Sequence, residues 1–334
     1  MTTDSHPYAA LTPELIWDAL SSIGLHSDGR LMALSSYENR VLRVHLEAGH
    51  EGDPPVVVAK FYRPQRWSTA AIEEEHALSQ ALQEAEIPVV APLRLQANTL
   101  HHYGGFAFSV SPWCGGRRPD LEDWETLEWI GRLMARVHLV GAETEFAHRP
   151  HISPQTYGWA CRDQLMHGQH IPMEIERTWN AAFEEAMQGV EQAWHAWQPS
   201  GQVLRLHGDC HPGNILWTPD QGPHFVDLDD ARMGPAIQDL WMLLSGDRRQ
   251  CTQQLGAVIE GYEQMRGFDR RELALIEPLR TLRLIHYSLW LASRQNDPAF
   301  AQSFPWFGTL AYWQEQVTTL HEQIDAMQES PLTA

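Results

Sequence analysis

The run "LHGDCHPGNILW" (206–217) brings His207, Asp209, Cys210, His211 and Asn214 into one short stretch. Two chemistries compete for it. As a metal nest, His207, Asp209, Cys210 and His211 would be the ligands. Against this, adjacent side chains point apart, Pro212 stiffens the turn, and neither an HExxH nor a second histidine pair follows at ligand spacing. As a phosphoryl-transfer loop, the pattern His-x-Asp-x-x-x-x-Asn divides the labour. Asp209 accepts a proton from an attacking hydroxyl, while Asn214 and a further carboxylate offer oxygens to a hard cation such as Mg2+. A candidate for the further carboxylate is Asp227 in "FVDLDD", with Asp229 and Asp230 as competitors: "NILW" re-enters an extended apolar run and "TPDQGP" turns the chain back, which can place Asn214 and Asp227 together.

Phosphoryl transfer also needs a positive charge on the phosphates. "VVVAKFY" (56–62) supplies Lys60, flanked by apolar residues in a β-branched run; an edge lysine that snorkels to water is the alternative. Its carboxylate partner is expected on the next helix, among Glu73, Glu74 and Glu75. Helix neighbours lie about 100° apart, so only one faces inward. Spacing from Leu78 and Leu82 favours Glu75, with Glu74 second.

The elements that must carry these residues follow from hydrophobic period and turn chemistry. A helix is expected over 11–24, with Thr12 as cap, Pro13 in the first turn and Gly24 as stop. Strand, turn and strand follow over 30–49, a turn over 49–55 and a third strand over 56–62. A helix capped by Ser68 covers 68–87, and 88–113 reads as further strands. "SPWCGGRRP" (111–119) breaks the pattern and marks a domain boundary. Beyond it, 121–141, 173–197, 236–246, 248–266 and 270–294 read as helices, and 223–235 as a short strand with an acidic turn. Strands and helices do not alternate, which excludes a doubly wound sheet. "GLHSDGR" (24–30) has phosphate-loop glycine spacing but lacks the GK[ST] ending, so it is read as chance.

The 334 residues carry 43 acidic against 24 basic side chains, a net charge of −19, which disfavours broad nucleic-acid binding. Cys114, Cys161, Cys210 and Cys251 are too widely spaced for a zinc ribbon or a disulfide framework, and fit reduced thiols of a cytoplasmic protein. The beginning of the chain shows no secretory signal pattern, and no apolar run reaches membrane-spanning length. The 14 tryptophans are scattered and read as packing residues.

Taken together, the motifs resemble the protein-kinase-like phosphotransferases, in the branch of aminoglycoside phosphotransferases and choline kinases. "HGDCHPGNI" is similar to that branch's H-G-D-x-x-x-x-N loop, and "FVDLDDARMGPAIQDLW" to its I-D-x-x-x-x-G-x-x-x-x-D-L segment, with Asp239 as the distal aspartate. That spacing favours Asp227 over Asp229 and Asp230, which are expected to be solvated or to sit behind the cation site. The resemblance covers about residues 30–290. It implies an α+β, bilobal protein-kinase-like fold. Residues 1–112 would form a small β-rich N-terminal nucleotide-binding lobe, and 113–334 a larger, mainly α-helical lobe for catalysis and substrate.

The resemblance further implies ATP and Mg2+ as cofactors, with Asp209 as catalytic base and Asp227 and Asn214 holding the metal. Lys60 would bind the α/β-phosphates, steadied by Glu75. Ser36 would lie in the turn over the phosphates, His207 and Asp239 would brace the loop, and residues 110–116 would pair with adenine. One departure stands out: "SSYENRV" has none of the glycines usual in a nucleotide loop. This run, "KFYRPQRW" and the stretch 206–244 narrow the resemblance to bacterial cytoplasmic kinases of the stress response, which act on serine and threonine of proteins. The alternatives are a small-molecule kinase acting on an amino alcohol or aminoglycoside-like hydroxyl, an inactive nucleotide-binding scaffold, and a metal hydrolase. A monomer with no nucleic-acid or membrane partner is expected. Among the remaining conspicuous residues, His138 reads as a packed histidine, Arg117 and Arg118 as surface charges, and His211 as a loop or substrate-side residue. Cys210 reads as a small loop residue or as a thiol whose oxidation would block activity.

Overall fold

A computed structural model describes residues 7–47 and 55–334; the turn expected at 49–55 lies, except for Pro55, outside the described residues. In chain order the elements are α1 (Pro13–Ser22), β1 (Ser27–Ala33), β2 (Arg40–Leu46), β3 (Val56–Phe61), α2 (Thr69–Glu84), β4 (His101–Tyr103) and β5 (Phe106–Pro112). Then come α3 (Trp124–Gly141), α4 (Ala160–His167), α5 (Met173–Trp197), β6 (Leu204–Leu206), β7 (Ile215–Thr218), β8 (Gly222–Phe225) and β9 (Arg232–Gly234). The chain finishes with α6 (Ile237–Trp241), α7 (Arg248–Glu263), α8 (Ile276–Ala292), α9 (Phe300–Ser303) and α10 (Leu310–Gln328). Two compact units emerge: one of Met1–Asp120, Phe146–Arg149 and Asp209–Ala231, the other of Leu121–Glu145, Pro150–Gly208 and Arg232–Ala334.

The first unit is built on an antiparallel sheet of order β1-β2-β3-β5-β4. Strand period two divides β3 between two faces. Val57, Ala59 and Phe61 enter a core with Val44, Phe108, Val110 and Leu20 of α1. Val58 and Lys60, out of phase, face a cavity instead. Thr12 accepts from the Leu15 N–H and Ser68 from the Ala71 N–H, so both helix starts are capped as their sequences suggest. Strands β7 and β8 form a hairpin in register Ile215↔Phe225, closed at Gly222, whose φ of +74° suits glycine. Residues 88–100 depart from expectation: they carry only isolated bridges, because Pro88 and Pro92 lack the N–H groups a ladder needs.

The second unit is helical apart from the β6–β9 pair. Helices α3 and α7 approach closely through glycine. A Cβ at Gly131 would lie 2.1 Å from the Val258 carbonyl oxygen, and one at Gly261 2.0 Å from that of Glu128. An aromatic cluster joins α5 to α10: Trp179 stacks on Phe183 at 5.4 Å and meets Trp313 edge-on at 5.8 Å. The helix expected over 236–246 shrinks to α6, with the chain in the left-handed region at Gly246 (φ +91°). That over 270–294 begins as a 3-10 turn, Arg270–Leu275, because Pro278 cannot donate back into that turn and is tolerated only near the start of α8. Helices α4, α9 and α10 and strands β6 and β9 were not expected. Among the described residues no helix is long and apolar enough to cross a membrane.

Candidate active site

In β3, Lys60 pairs across the sheet with Val41 and Ser109. Its Nζ lies 3.0 Å from Asp227 Oδ1, 3.3 Å from Asp229 Oδ1 and 3.8 Å from Glu75 Oε1. Burial alone would pull the lysine pKa down; the Asp227, Asp229 and Glu75 carboxylates outweigh it and hold the ammonium well above its usual range. Burial pushes the Glu75 carboxyl up, against the pull of Lys60. Asp229 goes the other way: burial opposes its charge, but Lys60 and Arg66 lower it below the usual carboxylate range.

Glu75 sits on the inward face of α2 with Ile72, Leu78, Ser79 and Leu82. Of the three consecutive glutamates it is the one beside Lys60. Glu74 turns away and accepts from the N–H groups of Ala147 (2.7 Å) and His148 (3.0 Å). A cavity of about 370 Å3 opens in front of Lys60. It is lined by the turn Leu34–Ser36, by Val41 and Val58, by residues 111–116, and by Asn214, Leu216 and Asp227. Its apolar side suits a flat ring, and its polar end is where a polyanion would meet the ammonium.

Asp227 holds φ +61°, ψ +64°, a left-handed conformation that costs a non-glycine residue about 1–2 kcal/mol. The bend starts the 3-10 turn Leu228–Asp230 and leaves the Asp227 side chain about half exposed. Asn214 ends the turn Pro212–Asn214; its Nδ2 donates to the Asp209 carbonyl (2.9 Å), and its own carbonyl accepts from the Val226 N–H (3.0 Å). The amide nitrogen is thus engaged, which leaves Oδ1 for the cavity. Asn214 and Asp227 line the same cavity, so their side-chain oxygens could serve a hard divalent cation, which takes oxygen donors with water and phosphate completing its shell.

In the same unit, Asp209 Oδ2 lies 3.6 Å from His211 Nε2, while His211 Nδ1 accepts from the Gly213 N–H at 2.9 Å. Cys210 is fully buried, which removes it from oxidants. In the second unit, Asp239 accepts from the N–H groups of His207 (2.9 Å) and Gly208 (2.8 Å), and meets His138 Nε2 at 3.1 Å. Gly208 directly precedes Asp209 in the chain and sits at φ +84°. His138 is packed as expected, but its Nδ1 also bonds the Tyr262 hydroxyl at 2.9 Å, so it props Asp239 as well. Arg117 and Arg118 are exposed.

Of the two placements expected for Asp229, solvated or behind the cation site, the structure has the second: it is buried, at 3% exposure, against Lys60. Two residues of the first unit escaped sequence reasoning. Arg149 donates to the carbonyls of Asp229 (2.8 Å) and Ala231 (3.0 Å) and lies 3.3 Å from Glu75. Arg66 contacts Asp229 and, at 2.8 Å, Asp230. No local spacing signals Arg149; Arg66 lies in "KFYRPQRW", a run that the resemblance singled out without giving this arginine a role.

The chain belongs to the phosphotransferase enzyme family (APH), which matches residues 31–276. It is a kinase that moves a phosphoryl group onto a hydroxyl, on the α+β fold of that family. It is 42% identical over 332 residues to stress response kinase A of Salmonella choleraesuis (strain SC-B67), covering 99% of this chain and 98% of that one. The same identity and coverage hold for serine/threonine protein kinase RdoA of Salmonella typhimurium (strain LT2). Among solved structures, the amicoumacin kinase hAmiN in complex with AMP-PNP, Ca2+ and Ami shares the fold, with a TM-score of 0.72 and 18% identity over 97% of this chain and 96% of that one.

Proposed function

We propose that this chain is an ATP- and Mg2+-dependent kinase that transfers the γ-phosphate to serine or threonine hydroxyls of proteins, in a cytoplasmic stress response and as a monomer. The observation that carries the nucleotide chemistry is the Lys60 ammonium facing the same cavity as Asp227 and Asn214. The acceptor class rests on the near full-length similarity to relatives named stress response kinase A and serine/threonine protein kinase RdoA. On this reading residues 1–112 serve mainly nucleotide binding and 113–334 catalysis and substrate.

Asp227 and Asn214 would hold Mg2+, which when bound neutralises phosphate charge. Lys60 binds the α/β-phosphates, and Glu75 keeps its ammonium in place. Ser36 and its turn cover the phosphates, and backbone within 110–116 pairs with adenine. The acceptor oxygen bonds to the γ-phosphorus as the bond to the bridging oxygen breaks and ADP leaves. Asp209 takes the acceptor proton. His207 and Asp239 brace the loop that carries Asp209 and do not react.

The test is incubation with γ-labelled ATP and Mg2+, offering a protein substrate beside a panel of small alcohols and aminoglycosides. Label should appear in protein, and Asp209→Asn should cut it about 10²–10⁴-fold. Undiminished labelling in Asp209→Asn sinks the assigned base. Label only in a small alcohol supports the second reading, which the likeness to the amicoumacin kinase favours. ATP binding with no transfer to anything would leave an inactive scaffold.

A further inference from the structure

The runs "SSYENRV" and "KFYRPQRW" carry side chains that the proposed reaction does not use. Several of them converge in the first unit. Asn39 Nδ2 donates to Asp229 Oδ2 at 3.1 Å, and Asn39 Oδ1 accepts from the Arg63 N–H at 3.0 Å. Arg66 donates through Nη1 to the same Asp229 oxygen and through Nη2 to Asp230 at 2.8 Å, while its Nε lies 3.6 Å from Glu38. The other Asp229 oxygen lies 3.3 Å from Lys60 Nζ. One buried carboxylate therefore touches both the lysine at the polar end of the cavity and Asn39, which ends the turn 34–39.

That turn contains no glycine, and none of its residues has positive φ. A glycine-rich loop approaches phosphates by adopting backbone conformations that other residues avoid. Here two backbone ties, Leu34 N–H to the Val41 carbonyl at 2.8 Å and the Tyr8 hydroxyl to the Glu38 carbonyl at 2.9 Å, are joined by ties from the turn's own side chains. Gln65, which turns the chain just before Arg66, sits at φ +66°. The Arg66 guanidinium also lies 5.3 Å from the centre of the Trp67 ring, and that of Arg149 lies 4.7 Å from it.

We propose that Arg66 and Asp229 are positioning residues for nucleotide phosphates: through Asn39 and Glu38 they lock the glycine-free turn to the Lys60 corner. The lock substitutes rigid placement for glycine flexibility. It rests on the reading of the cavity as an ATP site.

The test compares the full-length parent with Asp229→Asn, Arg66→Met, Arg66→Lys and Asn39→Ala. Adenosine and ATP–Mg2+ binding are measured by calorimetry, KM and kcat by steady-state kinetics, and folding by thermal melting. The lock predicts adenosine affinity within about twofold of the parent, but ATP affinity weakened and KM raised about tenfold, the usual scale for losing one charge-assisted hydrogen bond. The kcat should fall by less, and Arg66→Lys should recover part of the loss by keeping the charge. Should the buried-charge variants fail to fold, Asn39→Ala keeps every charge and carries the same expectation. Equal weakening of adenosine and ATP, or unchanged ATP binding in folded Asn39→Ala, overturns the lock. A parent that binds no ATP removes the ATP-site reading and the lock with it. ATP binding that the variants leave intact removes the lock alone.

Discussion

Replacing Lys60 with methionine keeps the length of the aliphatic stem and removes only the ammonium. In the parent that charge is shared among Asp227, Asp229 and Glu75 at 3.0, 3.3 and 3.8 Å. At an effective dielectric of about 20, each contact has a gross Coulomb energy of about 4–6 kcal/mol before desolvation, and the three differ by only about a quarter. No single carboxylate dominates, so removing the lysine should cost more than removing any one partner. Stranding one side of a buried ion pair typically costs about 3–5 kcal/mol. Arg66 beside Asp229 and Arg149 beside Glu75 remain, which puts the expectation at the low end, about 3 kcal/mol near pH 7. For a chain of 334 residues unfolding as one unit that is about 4 °C in Tm.

The loss should depend on pH, and its sign follows from Glu75. Burial already raises the Glu75 pKa, and Lys60 opposes that rise. Without the lysine it rises further, so the folded variant binds a proton that the unfolded chain releases. That contribution to stability is present below the unfolded pKa and is lost as pH rises through the raised folded value. The gap between parent and Lys60→Met should therefore be larger at pH 8 than at pH 5. Thermal and urea unfolding across that range measures it. A gap below about 1 kcal/mol, or one that widens on acidification, would refute the shared-charge reasoning.

Two further outcomes test the scaffold. Glu272 accepts from the Ile237 N–H at 2.8 Å, and burial pushes its carboxyl up to about 7. The parent should lose up to about 3 kcal/mol as pH rises from 5 through 8.5, and Glu272→Gln should remove that part of the slope; parallel unfolding curves for the two proteins would contradict it. Gly131→Ala places a methyl against the Val258 carbonyl oxygen and should cost about 3 kcal/mol as α3 and α7 are forced apart, whereas a Tm within 1–2 °C of the parent, roughly the noise of additivity, would show that the helices can shift.

Much of the first unit was legible because its signals are local. Alternation in "VVVAKFY" separates the core residues Val57, Ala59 and Phe61 from Lys60, which faces the cavity. Helical period in "AIEEEHALSQAL" likewise separates Glu75 from Glu74. The caps at Thr12 and Ser68 are properties of two or three neighbouring residues. Where proline interrupts the period, at Pro88, Pro92 and Pro278, the expected boundaries slipped, because a missing N–H changes the hydrogen-bond pattern without changing hydrophobicity. Strands β6 and β9 have three residues each, too few to show a period.

By itself the sequence determined the residue types and their local aim: a loop with Asp209 and Asn214, an acidic turn at Asp227, a lysine on a strand and a glutamate on the next helix. Those follow from short-range periodicity, turn chemistry and spacing. Only the tertiary structure decided which further charges join the Lys60–Glu75 pair that helical spacing already suggested. Asp229 carries the same formal charge as Asp230, yet it lies buried between Lys60, Arg66 and Asn39 while Asp230 stays partly exposed. Arg149 reaches Glu75 and the carbonyls beside Asp229 from a segment more than seventy residues away in sequence. Ion pairing in a desolvated interior depends on which side chains the fold excludes from water together, and no local pattern encodes that.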